Sequence, residues 1–341
     1  MVRLLTLLAA FNMLSFSDVI AEECAFAPVP EDKLVGVLRA RKVILRSSDP
    51  VAIAFQSQLE RDDDGGPNAY HVGYTGIGAD PGLDHICNGG SVMEFKEGRL
   101  VDKYGDGGSI GKLDGIDPTT TWSRSALCKQ DYINLRDAGF PACGPDTLCM
   151  LWYGIASIPR KCGFESAYGG ADLDRCGVPI RQSSSVGKQR PYYLTTTALK
   201  RRDASSSTTK QSDYANASIV PFVVLPGGLT LPDGMKWKVG DIALVVWKSN
   251  VVAAIVGDVG PRLKLGEGSR ALLRELRDGK SSATIDKDGP VTTILMPGAT
   301  SAASANWPID TKVLEKDGAT MLVKLGGRRG IKACADFNLV D

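Results

Sequence analysis

Residues 241–260 read DIALVVWKSNVVAAIVGDVG and contain two apolar runs, 242–247 and 251–256, separated by three polar residues. Short apolar runs that are rich in β-branched residues and bounded by polar residues or glycine are typical of β-strands. The short spacer predicts a hairpin. Because the runs hardly alternate between apolar and polar residues, we expect both faces of each strand to be buried, as in a small closed barrel.

Similar runs elsewhere in the chain predict further strands. The apolar run at 219–225 precedes the hairpin, and shorter ones lie at 43–45, 292–296 and 320–325. One helix is predicted directly after the hairpin, with Ser269 as its N-cap and Gly279 at its end. Its apolar face is formed by Ala271, Leu272, Leu273 and Leu276.

The first residues of the chain indicate export. Arg3 is followed by an apolar run at 4–16 that is too short to span a bilayer, and small residues follow at 19–21. This order is typical of a signal peptide, which we place at 1–21. The mature protein, 22–341, is then expected outside the cytoplasm, either extracellular or periplasmic, with no membrane segment and as a monomer.

The cysteine pattern agrees with an exported protein. An even number of cysteines behind a signal peptide predicts four disulfides of undetermined pairing. No CxxC pair is present and the only histidines are His71 and His85, so a zinc site is not expected. Five cysteines fall in a Gly-, Asp- and Pro-rich stretch at about 100–180, which we interpret as an insertion held by cross-links. The eight cysteines are at positions 24, 87, 128, 143, 149, 162, 176 and 334.

Two functional classes are disfavoured by the composition and the motifs. Forty Lys and Arg against 39 Asp and Glu argue against a nucleic-acid binder, although a local acidic groove could hold a cationic polymer. The stretch 107–111, GGSIG, fits the GxSxG turn of serine hydrolases, but no histidine follows His85 to complete a triad. The cluster at 62–65, DDDG, is either a solvated turn or a substrate-contacting loop.

Two acidic residues flank a loop between the second apolar run and the predicted helix. In 257–269, GDVGPRLKLGEGS, Asp258 ends the strand and Glu267 stands just before the helix. Glycosidic hydrolysis needs such a pair, because one carboxylic acid protonates the departing oxygen while a carboxylate activates water or attacks the sugar. Position alone favours a plainer interpretation, in which the two acids are turn and cap residues.

The same segment resembles the fungal-type chitosanases of glycoside hydrolase family 75. The resemblance extends over about 50–280 and is interrupted by the cysteine-rich stretch. The matching blocks, in family order, are 64–71 (DGGPNAYH), 192–199 (YYLTTTAL), 221–226 (PFVVLP), 240–241 (GD), 257–261 (GDVGP) and 266–269 (GEGS).

The resemblance implies a function and a fold. Asp258 and Glu267 would be the catalytic carboxylates of an inverting endo-hydrolase of chitosan, a β-1,4-linked glucosamine polymer, without metal or organic cofactor. We expect Glu267 as the acid and Asp258 as the base, and the reverse order stays open. The strand, Asp-x-Gly-Pro and helix are also similar to the double-psi β-barrel of lytic transglycosylases. The expected fold is therefore mainly β, with a double-psi β-barrel-like core, a few helices and a disulfide-rich loop insertion.

Further acids and aromatics in and beside these blocks are candidate substrate contacts. Acidic side chains could hold the ammonium groups of the polymer, and aromatic rings could stack on sugar faces or belong to the core. The candidates are Asp63, Asp64, Asp241, Tyr70, Tyr193 and His71. Two other functions remain open: cleavage of peptidoglycan by the same type of barrel, and non-catalytic binding of a cell wall or carbohydrate.

Overall fold

The computed structural model describes most of the chain after residue 25. The described residues are 26–39, 41, 43–46, 48–66, 69, 90–103, 130–152, 155–159, 177–182, 192–205, 208–260, 264–285 and 289–335. The expected signal peptide, Tyr70, His71 and the cysteines at 24, 87, 128, 162 and 176 lie outside these ranges. No helix within the ranges is long and apolar enough to cross a membrane.

The chain is mainly β. The strands are β1 (Ala27–Pro28), β2 (Val43–Arg46), β3 (Ala52–Ser57), β4 (Glu60–Asp62), β5 (Gly90–Lys96), β6 (Arg99–Asp102), β7 (Cys149–Trp152), β8 (Ser157–Pro159), β9 (Gly177–Pro179), β10 (Arg181–Gln182), β11 (Tyr192–Tyr193), β12 (Phe222–Pro226), β13 (Asp241–Trp247), β14 (Asn250–Gly260), β15 (Glu267–Ser269) and β16 (Val291–Thr300). The helices are α1 (130–137), α2 (Arg270–Leu276), α3 (Thr311–Lys324) and α4 (Gly327–Ala335).

Nine of these strands form one mixed sheet in the order β1-β2-β3-β16-β13-β14-β12-β15-β4. β13 and β14 are an antiparallel hairpin in which Trp247 pairs with Asn250, so the predicted hairpin is confirmed. The predicted strands at 43–45 and 292–296 are also present, and the run at 219–225 becomes β12, which begins at Phe222.

The sheet curls back on itself. β3 and β4 hold the third and ninth positions in the strand order, yet only Gln58 and Leu59 separate them along the chain. Six interstrand steps of about 4.8 Å would place them about 29 Å apart in a flat sheet, whereas the three Cα–Cα steps from Ser57 to Glu60 span at most about 11 Å. The curl therefore brings the β4 edge back beside β3.

Both faces of the β13–β14 hairpin are buried, as its continuous apolar runs predict. The face inside the curl packs against α2 and against the first strands, with Ala243, Val245, Val252 and Ala254 contributed by the hairpin. The opposite face packs against α3 and α4, with Ile242, Leu244 and Val246 from β13. The Cβ that Gly318 lacks would lie 2.3 Å from the Ala253 Cβ, so α3 lies directly on β14.

The helix predicted after the hairpin is confirmed as α2. Ser269 caps it, because its Oγ accepts a hydrogen bond from Leu272 N at 3.1 Å. The four predicted apolar residues, Ala271, Leu272, Leu273 and Leu276, are all buried. Gly279 follows the helix with a φ of 77°, and its N–H donates to Arg274 O at 2.8 Å.

The prediction of a strand at 320–325 is wrong, because these residues belong to α3 and the turn after it. Leu314 and Gly318 are the buried residues of α3, and Leu325 is buried beyond its end. This spacing has the period of a helix, and over the longer window it outweighs the short apolar run Met321-Leu322-Val323. α3 and α4 are also additional to the one helix expected after the hairpin.

The cysteine-rich stretch contains a small core of its own. β5 pairs with β6 and β7 in a three-stranded sheet, and α1 packs on it. Cys143 and Cys149 form a disulfide beside this sheet. The stretch is therefore held by packing as well as by at least one cross-link. The buried residues that make its core, here called the lobe core, are Val92, Tyr132, Leu135, Phe140, Met150, Trp152, Ile155 and Tyr193.

Candidate active site

A β-bulge in β14 orients Asp258. β12 pairs with β14 in parallel, and Val223 is opposite Val256 whereas the next residue, Val224, is opposite Asp258. Gly257 is the extra residue of the bulge. A Cβ at this position would lie 2.5 Å from the Phe222 Cβ, so the close approach requires glycine. Bulges redirect the following side chain, and this one brings Asp258 into register with Val224.

The segment 195–199 runs beside the bulge and supplies a hydrogen-bond donor to Asp258. Leu199 N donates to the Gly257 carbonyl at 2.8 Å. Ala198 N and Val259 N each donate to Asp258 Oδ1 at 2.8 Å. Both backbone donors use the same carboxyl oxygen, so Oδ2 is the atom that can carry a proton towards a ligand.

Glu267 begins β15 and is held from two sides. Its Oε1 accepts a hydrogen bond from Lys264 Nζ at 2.6 Å. Its Oε2 lies over Gly260, because a Cβ at Gly260 would be only 2.9 Å from this atom. The Glu267 carboxylate thus leans across β12 towards the strand that carries Asp258.

Strand register brings the two predicted catalytic acids together. β12 lies between β14 and β15, and Val224 is opposite Asp258 on one side and opposite Glu267 on the other. Residues opposite one another on neighbouring strands project from the same face of a sheet. Two interstrand steps of about 4.8 Å place the two Cα atoms about 10 Å apart. The two acids therefore flank Val224 on one face.

The β4 edge adds two more acids to this face. Glu60 is opposite Glu267, and Asp62 follows Glu60 by two residues, which puts it on the same face. Asp62 Oδ1 accepts a hydrogen bond from Asp64 N at 2.7 Å, so a tight turn follows β4 directly. Gly65 in this turn has a φ of 74° and packs closely against the carbonyl of Ala215.

Burial and mutual repulsion disfavour the charged form of three of these acids. Burial is the main reason that the pKa of Asp258 rises from 3.8 to about 7; its two backbone donors oppose the rise and the Glu267 charge adds to it. Burial also raises the pKa of Asp62 and of Asp64 well above the usual value, and the charges of Asp258 and Glu267 raise both further. These acids therefore hold protons at a pH where exposed carboxyls have lost them.

Replacing Asp258 by Asn is expected to stabilise the protein at alkaline pH. Folding raises the pKa of Asp258, so the stability linked to its proton is complete below about 3.8 and is lost as the pH rises through about 7. Asn keeps an oxygen for both backbone donors and does not ionise. The free energy of unfolding of Asp258→Asn relative to wild type should increase by about 3 kcal/mol between pH 5 and pH 8.

Urea unfolding at the two pH values measures this difference. Asp233→Asn is the control, because the Asp233 side chain is 53% exposed. The difference in free energy of unfolding between this variant and wild type should be the same at pH 5 and pH 8. A difference between Asp258→Asn and wild type that is the same at pH 5 and pH 8 would contradict the prediction.

The other predicted substrate contacts lie in different environments. Asp63 is 3% exposed and pairs with Arg61 and Arg270, so it ties β4 to the start of α2. Asp241 is fully buried, and Oδ2 accepts hydrogen bonds from Lys238 N and Gly298 N at 2.9 and 3.0 Å.

Tyr193 belongs to the lobe core, with its hydroxyl 3.1 Å from that of Tyr132. Asp64 differs from these residues, because its pKa is raised by burial and further by the charges of neighbouring acids, which include Asp258 and Glu267.

Two residues of this site, Glu60 and Lys264, were missed from the sequence. Asp62 was included only in the cluster 62–65, and the strand alternation through 60–62 would have separated Glu60 and Asp62 from Arg61 and Asp63. Glu60 and Lys264 carry no signal that distinguishes them from other charged surface residues.

Comparison with protein-family models gives no match for this chain, and no curated protein matches it either. Among the described residues, no group of three or more His, Cys, Asp or Glu side chains is arranged to hold a metal ion. The function is therefore argued from the geometry of the acids.

Proposed function

We propose that the protein is an exported chitosanase-like glycoside hydrolase of family 75 that cleaves a β-1,4-linked glucosamine polymer. The single observation that supports this most is the placement of Asp258 and Glu267 on one face, on either side of Val224. In this proposal the curled sheet is a double-psi β-barrel, the first 21 residues are a signal peptide, and the polymer lies across the face that carries the acids.

The surroundings of the two carboxyls favour the reverse of the roles expected from the sequence. The pKa of Asp258, raised to about 7 by burial first, suits a general acid that is still protonated when the substrate binds. Glu267 accepts a hydrogen bond from the Lys264 ammonium, which suits a charged base. We therefore assign Asp258 as the acid and Glu267 as the base.

The proposed reaction is a single displacement at the anomeric carbon. Asp258 Oδ2 gives its proton to the glycosidic oxygen as the bond from that oxygen to the anomeric carbon breaks. Glu267 takes a proton from a water molecule whose oxygen forms the new bond on the opposite face of the sugar. Inversion requires room for this water, with the carboxyls roughly 6.5 to 9.5 Å apart. Later exchange of both protons with solvent restores the starting state.

The wild-type protein should release reducing ends from soluble chitosan and lower its viscosity, with an alkaline limit to the rate. Because the proposed acid must be protonated, kcat/KM should fall as the pH rises through about 7. The first-formed product should be the α-anomer, which NMR of the early reaction detects.

Each contrary outcome changes a different part of the proposal. If the rate instead decreases as the pH is lowered below about 7, Asp258 acts as the base. A β-anomeric product would replace the single displacement by a covalent intermediate. Product from purified peptidoglycan but none from chitosan would change the polymer, and saturable binding of polymer without product would exclude hydrolysis.

A further inference from the structure

Lys264 connects two carboxylates that extend from neighbouring strands. Its Nζ is 2.6 Å from Glu267 Oε1 and 2.8 Å from Glu60 Oε2. Glu60 and Glu267 are opposite one another in the parallel pair β4–β15, so the Lys264 ammonium bridges two carboxylates that are cross-strand neighbours. The Lys264 and Glu267 side chains are only 21% and 17% exposed, whereas that of Glu60 is 50% exposed. The contact to Glu267 is therefore the more shielded of the two.

The ammonium lies in a strongly acidic environment. Burial alone would lower the pKa of Lys264, but the charges of Glu267 and Glu60 outweigh burial and raise this pKa above its usual value. Lys264 is therefore a fixed positive charge. The acids that face Glu267 from the neighbouring strands and turn are Glu60 and Asp62 on β4, Asp64 in the following turn and Asp258 on β14.

We propose that Lys264 is a positioning residue, which aims the Glu267 carboxylate across Gly260 and places a positive charge beside it among the surrounding acids. This inference rests on the proposed function, because it assigns how the base of that reaction is maintained. Lys264 itself touches no reacting atom in this scheme. Its effect reaches the water molecule only through Glu267.

The backbone holds the strands together without this ion pair. Glu60 N donates to the Gly266 carbonyl at 2.8 Å, and β15 pairs with both β4 and β12. Loss of the ammonium should therefore leave the strands in place and change mainly the charge and orientation of Glu267. A purely structural role would instead lower stability without moving the titration of the carboxyl.

The direct test is carbon-13 NMR titration of the side-chain carboxyls in the full-length protein, with the Glu267 signal identified by its loss in Glu267→Gln. In Lys264→Met, which keeps the aliphatic volume, the titration midpoint of Glu267 should rise by about one pH unit. Lys264→Arg keeps a charge at this place and should return the midpoint to within about 0.3 pH unit of wild type.

Glu60→Gln gives a change of opposite sign. It removes one negative charge beside Glu267, and Lys264 then has Glu267 as its only charged partner of the two. The titration midpoint of Glu267 should therefore fall by about 0.5 pH unit. Lys33→Met is the control for loss of an ammonium, because Lys33 is in an exposed pair with Asp233 at 3.0 Å and should leave the Glu267 signal unchanged. An unchanged Glu267 midpoint in Lys264→Met overturns the inference whether or not the wild type cuts chitosan.

The kinetic readout separates this inference from the proposed function. If the wild type hydrolyses chitosan, Lys264→Met should lower kcat by about tenfold at pH 5.5, move the acid limb of the rate profile to higher pH and leave KM unchanged. If the wild-type protein turns over no polymer, the proposed function is wrong. The NMR titration still decides the role of Lys264 in that case. An active Lys264→Met protein with the wild-type rate profile also overturns the role.

Discussion

Replacing Asp258 by Asn, or Glu267 by Gln, should lower kcat on soluble chitosan by about 10³-fold, which is the scale of general acid or base catalysis. Both changes keep the shape of the side chain and an oxygen for the observed hydrogen bonds, from Ala198 and Val259 in one case and from Lys264 in the other. Substrate contacts should therefore persist and KM should stay close to that of the wild type. The measurement is the initial rate of reducing-end release at pH 5.5.

A partly buried carboxyl away from the site provides the control. Burial, followed by the Glu315 charge, raises the pKa of Glu275 in α2, so Glu275→Gln also removes a carboxyl whose pKa is raised mainly by burial. Its rate should equal that of the wild type. If Asp258→Asn and Glu267→Gln remain folded by circular dichroism and keep wild-type rates, the two acids do not perform the chemistry.

Gly266→Ala should lower the free energy of unfolding by about 4 kcal/mol. Gly266 has a φ of 99°, and a Cβ there would lie 2.1 Å from the carbonyl oxygen of Gln58. The backbone conformation costs an alanine about 1–2 kcal/mol, and forcing two backbones apart adds about 1–3 kcal/mol. Gly266 also accepts the hydrogen bond from Glu60 N, so the displacement acts at the β4–β15 pair.

Gly289→Ala separates the two contributions. Gly289 has a φ of 96°, almost the same as that of Gly266, but a Cβ there would meet no atom of the described residues within 4 Å. This variant should lose only about 1–2 kcal/mol in a denaturant titration. Equal losses for the two alanine variants would mean that the close approach of Gly266 to Gln58 contributes nothing.

The elements that the sequence predicts well are those whose residues lie next to one another along the chain. The runs 242–247 and 251–256 became one hairpin, and α2 begins directly after its predicted cap and ends three residues before its predicted glycine. Asp258 and Glu267 were chosen because their blocks resemble those of family 75, since their position between a strand and a helix alone favoured turn and cap residues.

The parts that the sequence did not predict depend on pairing between distant segments. The bulge at Gly257 exists only because β12 packs beside β14, so Asp258 is aimed by a partner more than 30 residues away along the chain. Asp62 joins the site because the sheet curls until β4 reaches β15. The pKa of Asp258 was not predictable either, because the burial that raises it first comes from the folded chain.

The core of the cysteine-rich stretch was also not predicted from the sequence. Its composition indicated loops held by cross-links, yet Tyr132, Phe140, Met150 and Trp152 form a packed lobe core with Tyr193. These residues are scattered between polar and glycine-rich stretches, so no periodic sequence pattern predicts that they pack together. Their shared environment becomes visible only when β5 and β7 pair.

A short stretch of chain joins the lobe core to the backbone donor of Asp258. Tyr193 is buried in the lobe core. Five residues later, the backbone N–H of Ala198 donates a hydrogen bond to Asp258 Oδ1, whereas the proton of the proposed reaction is carried by Oδ2. Five residues span at most about 18 Å, so the lobe core lies within that distance of the amide that contacts Asp258. Under the proposed function, a substitution at Tyr193 that displaces this amide should change the pH at which the protein works, while Asp258 itself stays unchanged.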